Sequence, residues 1–260
     1  MAVKITKDNL EEIVKINKEI QDEIDGCVKK VHSLYNKANI QSLEKLAINI
    51  LETYNLIQIP IEDEYLGGKV EIRNNHKIPI INTAQPRVYQ YFVAWHEIYH
   101  ILFDENLNTE NIYAEMNVVD VPLTERKADY FAACMLLGNV FEYYMELEGD
   151  FIDKIIRCID VYKAPYKSIL VKLYECGDRY KNEELKNLCL EYIDKKPANL
   201  IEKFEEIGLD SELVRPSNLV KLGNIESLIE KEIEANPQVT YHEDNRKYLE
   251  KLKNSISKDI

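Results

Sequence analysis

Apolar positions in the first third of the chain follow one period and then change to another. From Leu10 to about Lys37, Ile13, Ile16, Ile20, Ile24, Val28, Val31 and Leu34 recur every three or four residues among many charges. That stripe predicts an amphipathic helix, with Gly26 as a point where it can bend, whose apolar side packs on the body of the protein or on a partner, the first being preferred. Ser42 reads as the N-cap of a second helix carrying Leu43, Leu46, Ala47, Ile50, Leu51 and Tyr54. The pattern then shortens. Residues 56–61 are apolar and broken by Pro60, Gly67-Gly68 marks a turn, and residues 69–73 and 77–82 alternate or run apolar around Asn74-Asn75-His76. The last two stretches predict a β-hairpin with His76 in its turn. Its edge has two readings, closing the core or accepting an extended substrate as an added strand, and the pattern leaves both open.

Helical spacing returns after Pro86, which suits a first turn, and continues to about Phe103. Residues 104–117 read as a polar loop with a short helical turn near 112–116. A further helix spans 124–137 with Ala128, Phe131, Ala132, Met135 and Leu136 inward, and Asn139 is placed to cap the next one. From Gly149 onward the chain reads as helices at 151–162, 166–176, 183–193, 200–207, 225–234 and 246–256, separated by Pro and Gly. The expected fold class is α+β, mostly helical, with a small antiparallel sheet. The expected division is 1–40 as an N-terminal amphipathic segment, 41–148 as the core, and 149–260 as a C-terminal helical region.

Composition narrows the function classes. No window approaches eighteen consecutive apolar residues, so no membrane-spanning helix is expected, and the N-terminus turns acidic without an apolar signal core. The expected setting is cytoplasmic. Five cysteines without a C-x-x-C pair point to small buried side chains in a reducing compartment. A net charge of -13 argues against broad nucleic-acid binding; a protein or peptide partner fits it better, and the preferred reading of the acidic surface is that it keeps the chain in solution. No Gly-rich phosphate loop or G-x-S-x-G is present.

The chemistry concentrates in Trp95-His96-Glu97-Ile98-Tyr99-His100, an H-E-x-x-H pattern inside an apolar, aromatic run. On a helix, His96 and His100 lie on one face a turn apart and can reach one metal ion. Glu97 points about 100° round the axis, close enough to touch a water on that metal. A catalytic zinc takes three protein ligands and leaves one position open, and after two histidines the third is often a carboxylate. Glu125 stands 25 residues after His100, at the start of the next helix.

The text from Glu125 reads E-x-x-A-D-x-F-A followed by apolar residues. Together with H-E-x-x-H it resembles the ImmA/IrrE family of metallopeptidases, over about Ser42 to Gly177. Ile78-Pro79-Ile80-Ile81-Asn82 is similar to that family's strand and asparagine ahead of the zinc helix. The resemblance implies a zincin-like core with Zn2+ held by His96, His100 and Glu125, and Glu97 as general base. Asp129 matches the family's Asn/Asp position and is expected to accept the spare N–H of a ligand histidine. Tyr99 stands where the family usually has Gly, and Gly138 where it often has Pro.

The resemblance also implies a protein substrate, a DNA-binding transcriptional repressor of a mobile element or stress response; charge and hydropathy lead to the expectation of no direct contact with nucleic acid or membrane. Tyr89, Tyr91 and Tyr130 are candidates for an oxyanion donor. Two alternatives stand beside peptidase activity: a zinc-stabilised protein that sequesters a partner uncut, and a sensor whose C-terminal helices gate the site.

Overall fold

Why the first helix keeps its whole length is visible in what it packs on. In a computed structural model describing residues 5–35, 42–63, 65–105, 107 and 123–258, α1 (Leu10–Tyr35) runs without a break at Gly26. Leu10, Ile13, Val14, Ile20, Ile24 and Val31 are buried, and the helix packs on α4 (Leu123–Leu136) and α7 (Tyr166–Arg179). The stripe stops short of its expected end, because Leu34 is 55% exposed. α2 (Leu43–Glu52) follows Ser42, whose side chain makes no capping hydrogen bond.

The sheet holds more than the expected hairpin. β2 (Gly68–Arg73) and β3 (His76–Asn82) pair antiparallel, with Asn74 and Asn75 at φ of 50° and 62°. Two consecutive left-handed residues make the tight primed turn that matches strand twist, and asparagine tolerates that conformation. The turn is thus Asn-Asn, and His76 opens β3. β1 (Ile57–Ile59) lies parallel to β3, pairing Ile57 with Ile80, and β4 (Lys221–Leu222) lies antiparallel to β1. The order is β2-β3-β1-β4, so the sheet is mixed where only antiparallel pairing was expected, and β3 is interior while β2 is an edge.

α3 (Arg87–Phe103) packs against β2 and β3 on one side and α2 and α4 on others. The remaining helices are α5 (Val140–Glu146), α6 (Phe151–Tyr162), α7, α8 (Glu183–Tyr192), α9 (Leu200–Glu206), α10 (Ile225–Ala235) and α11 (His242–Lys258). α7 continues through Gly177, which had been expected to separate helices. The region after Gly149 is not purely helical either. A 3-10 turn at Ser211–Val214 and β4 bring the chain back to the core, where Asn218 N–H donates to Thr83 O at 3.0 Å and Arg87 N–H to Arg215 O at 3.0 Å. One hydrophobic cluster joins residues from α1 to Val214, with Trp95, Tyr99 and Phe131 between α3 and α4. Among the described residues no helix is long and apolar enough to cross a membrane. The short helical turn expected near 112–116 lies outside the described residues.

Candidate metal centre

α3 is fixed at both ends before it presents any chemistry. Near its start, buried Gln90 donates from Nε2 to Gln85 O at 2.7 Å and Thr83 O at 3.3 Å, and its Oε1 accepts from Ser217 at 3.0 Å. At its end, where helix carbonyls lack partners, Lys77 of β3 donates from Nζ to Ile101 O at 2.7 Å. α4 lies alongside with Ala128 and Ala132 fully buried, small enough to let the helices approach. Phe131 fills the seam, 5.8 Å from Tyr99 and 5.7 Å from Phe103 between ring centroids. Tyr99 therefore occupies space at the helix pair where the resembled family has glycine.

Across this seam the structure brings together His96, His100 and Glu125, whose ligand atoms lie within 4.8 Å of one another. The two Nε2 atoms are 3.1 Å apart. Glu125 Oε2 is 3.3 Å from His96 Nε2, and Oε1 is 3.3 Å from His100 Nε2. Each ring's other nitrogen has its own carboxylate: His96 Nδ1 is 3.0 Å from Asp129 Oδ1, and His100 Nδ1 is 3.0 Å from Asp104 Oδ2. Asp129 stands one helical turn after Glu125 on α4. Asp104 was not anticipated, although its signal is plain in retrospect, an aspartate one helical turn after His100.

This pairing decides what the centre can hold. With protons on both Nδ1 atoms facing carboxylates, the two Nε2 lone pairs and the Glu125 carboxylate converge with no hydrogen among them. Only a cation relieves that arrangement, and the donor set of two imidazoles and one carboxylate fits a divalent metal. Without a metal, protons must serve. Burial disfavours charge on His96, but its hydrogen bonds to Asp129 and Glu125 outweigh this and hold its pKa well above the usual value. His100 is also raised, burial again being overcome by Glu125. Burial would raise Glu125, yet the two imidazoles hold it well below the ordinary carboxylate range. Asp129 is lowered in the same sense, with His96 and Arg126 overcoming burial.

Glu97 is 4% exposed and faces the sheet. Burial raises its pKa against the lowering effect of His96 and His100. Gly67 and Gly68, expected to mark a turn, instead let β2 come close. A Cβ on Gly68 would lie 2.6 Å from Val93 Cγ1, 2.8 Å from Ile80 O and 3.1 Å from Glu97 Oε1. The loop ahead of β2 is held by Asn82, which is fully buried. Its Nδ2 donates to the carbonyls of Ile61, Asp63 and Leu66 at 3.0, 3.2 and 2.8 Å, and its Oδ1 accepts from Ile61 and Ala84 N–H, both at 2.9 Å.

The candidate tyrosines point elsewhere. Tyr130 donates its hydroxyl to buried Glu175 at 3.1 Å, about 140° round α4 from Glu125. Tyr89 lines a small cavity with Ile159, Tyr166 and Val214, and Tyr91 has Glu44, Arg87 and Asp210 as charged neighbours.

A helix bearing H-E-x-x-H, packed on a helix bearing a carboxylate and edged by a small sheet, defines a metallopeptidase-like class of protein. Residues 55–174 match the IrrE N-terminal-like domain of a peptidase family, which supports the resemblance to the ImmA/IrrE family over that region. The match runs from the turn before β1 into α7. Comparison with curated proteins and with solved structures finds no match.

Proposed function

We propose that the chain is a zinc-dependent endopeptidase in which His96, His100 and Glu125 hold the metal and Glu97 is the general base. The observation that carries this reading is the convergence of three lone-pair donors, each imidazole backed by a carboxylate, beside a buried glutamate. Bound zinc supplies a Lewis acid that polarises a carbonyl and brings the pKa of a water toward about 7. Glu97, its carboxyl raised by burial, takes a proton from water and returns it to the leaving amine. Asp129 and Asp104 keep the imidazoles turned with Nε2 inward. β2, a sheet edge whose Gly68 lies beside Glu97, offers backbone to an extended substrate segment.

The substrate class proposed is an intracellular transcriptional repressor, which rests on the family. Zinc-loaded protein mixed with a purified candidate repressor is expected to cleave it, and Glu97→Gln is expected to leave it intact. Equal cleavage by Glu97→Gln would refute the assigned base. Independently of substrate, the wild type is expected to carry one zinc per chain and Glu125→Ala to lose it. Sequestration without cleavage would instead give partner release that survives Glu97→Gln. A truncation testing that alternative must begin after Gly223, because removing 199–260 also removes β4 and its contacts.

A further inference from the structure

We propose that Arg126 is a positioning residue of the metal centre, acting through Asp129 on His96. The proposal rests on His96, His100 and Glu125 holding a metal, and adds the group that fixes the Asp129 carboxylate. Arg126 is the fourth residue of α4, and its Nη1 lies 3.7 Å from Asp129 Oδ2. The other oxygen of that carboxylate, Oδ1, faces His96 Nδ1 at 3.0 Å. Each oxygen thus has its own partner, and a chain of guanidinium, carboxylate and imidazole runs from α4 across the seam to α3.

Helix stability alone does not account for this arginine. A cation in the first turn of a helix opposes the macrodipole, and an i, i+3 ion pair contributes little to a helix. Arg126 is also sheltered: 13% of its side chain is exposed, and its Nε is buried without a hydrogen-bond partner. Taking guanidinium donors out of water without replacing their hydrogen bonds is unfavourable. The Asp129 carboxylate offsets both effects, because attraction between unlike charges strengthens where water is excluded. Lys127, the next residue, shows the contrast. Its ion pair with Glu23 ties α4 to α1, whereas that of Arg126 stays within α4 and is directed at the residue that backs a ligand.

The two imidazoles differ in how much they need such help. Asp104 follows His100 by four residues on the same run of chain, so backbone geometry sets their separation. His96 and Asp129 stand on different helices, and a carboxylate turns readily about its Cβ–Cγ bond. With Oδ2 drawn to Arg126, Oδ1 stays on the Nδ1 side of His96, and Nε2 stays inward toward Glu125. Arg126 therefore acts on the His96 branch of the centre and not on the His100 branch.

The test is zinc affinity of the full chain by chelator competition, in a cycle of wild type, Arg126→Met, Asp129→Asn and the double variant. Arg126→Met is expected to loosen zinc about 3–10-fold, less than loss of a carboxylate that touches the imidazole, and Arg126→Lys to recover part of that loss. The sign is informative, since removing a nearby positive charge by itself would tighten a dication. In the Asp129→Asn background, Arg126→Met is expected to loosen zinc no further, because its route to His96 is gone. In zinc-loaded protein the Nδ1 proton resonance of His96 should move in Arg126→Met while that of His100 stays. Equal affinity of Arg126→Met and wild type, losses that add in the cycle, or equal movement of both resonances would overturn the proposal and leave the metal reading standing. A wild type that takes up no zinc would overturn both together.

Discussion

Asn82 is the residue whose removal most directly tests how the sheet edge is held against the candidate centre. Asn82→Ala deletes the hydrogen bonds of a fully buried amide: two N–H protons shared among the carbonyls of Ile61, Asp63 and Leu66, and two bonds accepted from Ile61 and Ala84. At a net value of about 1 kcal/mol each, and allowing the Asp63 and Leu66 carbonyls to regain water, the loss should be about 3–5 kcal/mol. That is a large part of the roughly 5–15 kcal/mol by which domains of this kind are stable. Asn82→Asp keeps the two acceptances but turns a carboxylate toward three carbonyls. Its folded pKa is thereby raised, so its penalty is full above that pKa and eases as pH falls through it. Urea denaturation gives the stability, and hydrogen exchange at the Ile61 and Ala84 amides reads the local effect. Because the ligands stand on α3 and α4, metal content should survive either change. An Asn82→Ala protein within about 1 kcal/mol of wild type, with those amides still protected, would refute the reasoning.

Three further outcomes follow from the same geometry. Gly68→Ala should cost about 1–3 kcal/mol in urea denaturation, and adding Val93→Ala should restore only part, because the Ile80 carbonyl at 2.8 Å is backbone and cannot give way. Asp129→Asn and Asp104→Asn should each loosen zinc about 10–100-fold in chelator competition while the fold persists, and equal affinity in either variant would remove that aspartate from its positioning role. In metal-free protein the raised pKa values of His96 and His100 contribute stability that is full below about pH 6.5 and is lost as pH rises through their folded values. The lowered Asp129 contributes above about pH 4 and is lost below it. The metal-free Tm should therefore fall from pH 6.5 to 9, and zinc, which binds neutral imidazole, should abolish the fall.

What could be read from the sequence is what local spacing encodes. His96, Glu97 and His100 share one helix, Glu125 and Asp129 share another, and the i, i+4 rule suffices to put each pair on one face. Most helix bounds were legible for the same reason. Asp104 obeyed that rule too, but one aspartate at the end of a helix reads equally well as an ordinary polar terminus. The parallel pairing of β1 with β3 and the two-residue β4 carry no periodicity, and their partners are remote in sequence. Gly67-Gly68 was misread because glycine signals both turns and close approach. Only the distances to Val93 and Glu97 show that approach is the reason here, since neither glycine has a positive φ.

The same distinction explains why the two halves of the centre depend on different parts of the chain. α3 is tied through Gln90, Arg87 and Thr83 to residues 215–219, far downstream. α4 is tied on its other side to α1 by Lys127–Glu23 at 2.7 Å, and to α7 by Tyr130, Lys172 and Arg179 around Glu175. Lys127 and Tyr130 stand at variable positions of the second motif, but the partners of both sets of anchors, Glu23, Glu175 and residues 215–219, lie outside both motifs and outside the matched residues 55–174. The motifs supply the donor atoms at 3.1–3.3 Å and the seam between α3 and α4, while segments on both sides of the matched domain hold the outer faces of those helices. Substitutions in α1 or in residues 211–222 that leave every ligand in place should thus shift metal affinity through the spacing of α3 and α4.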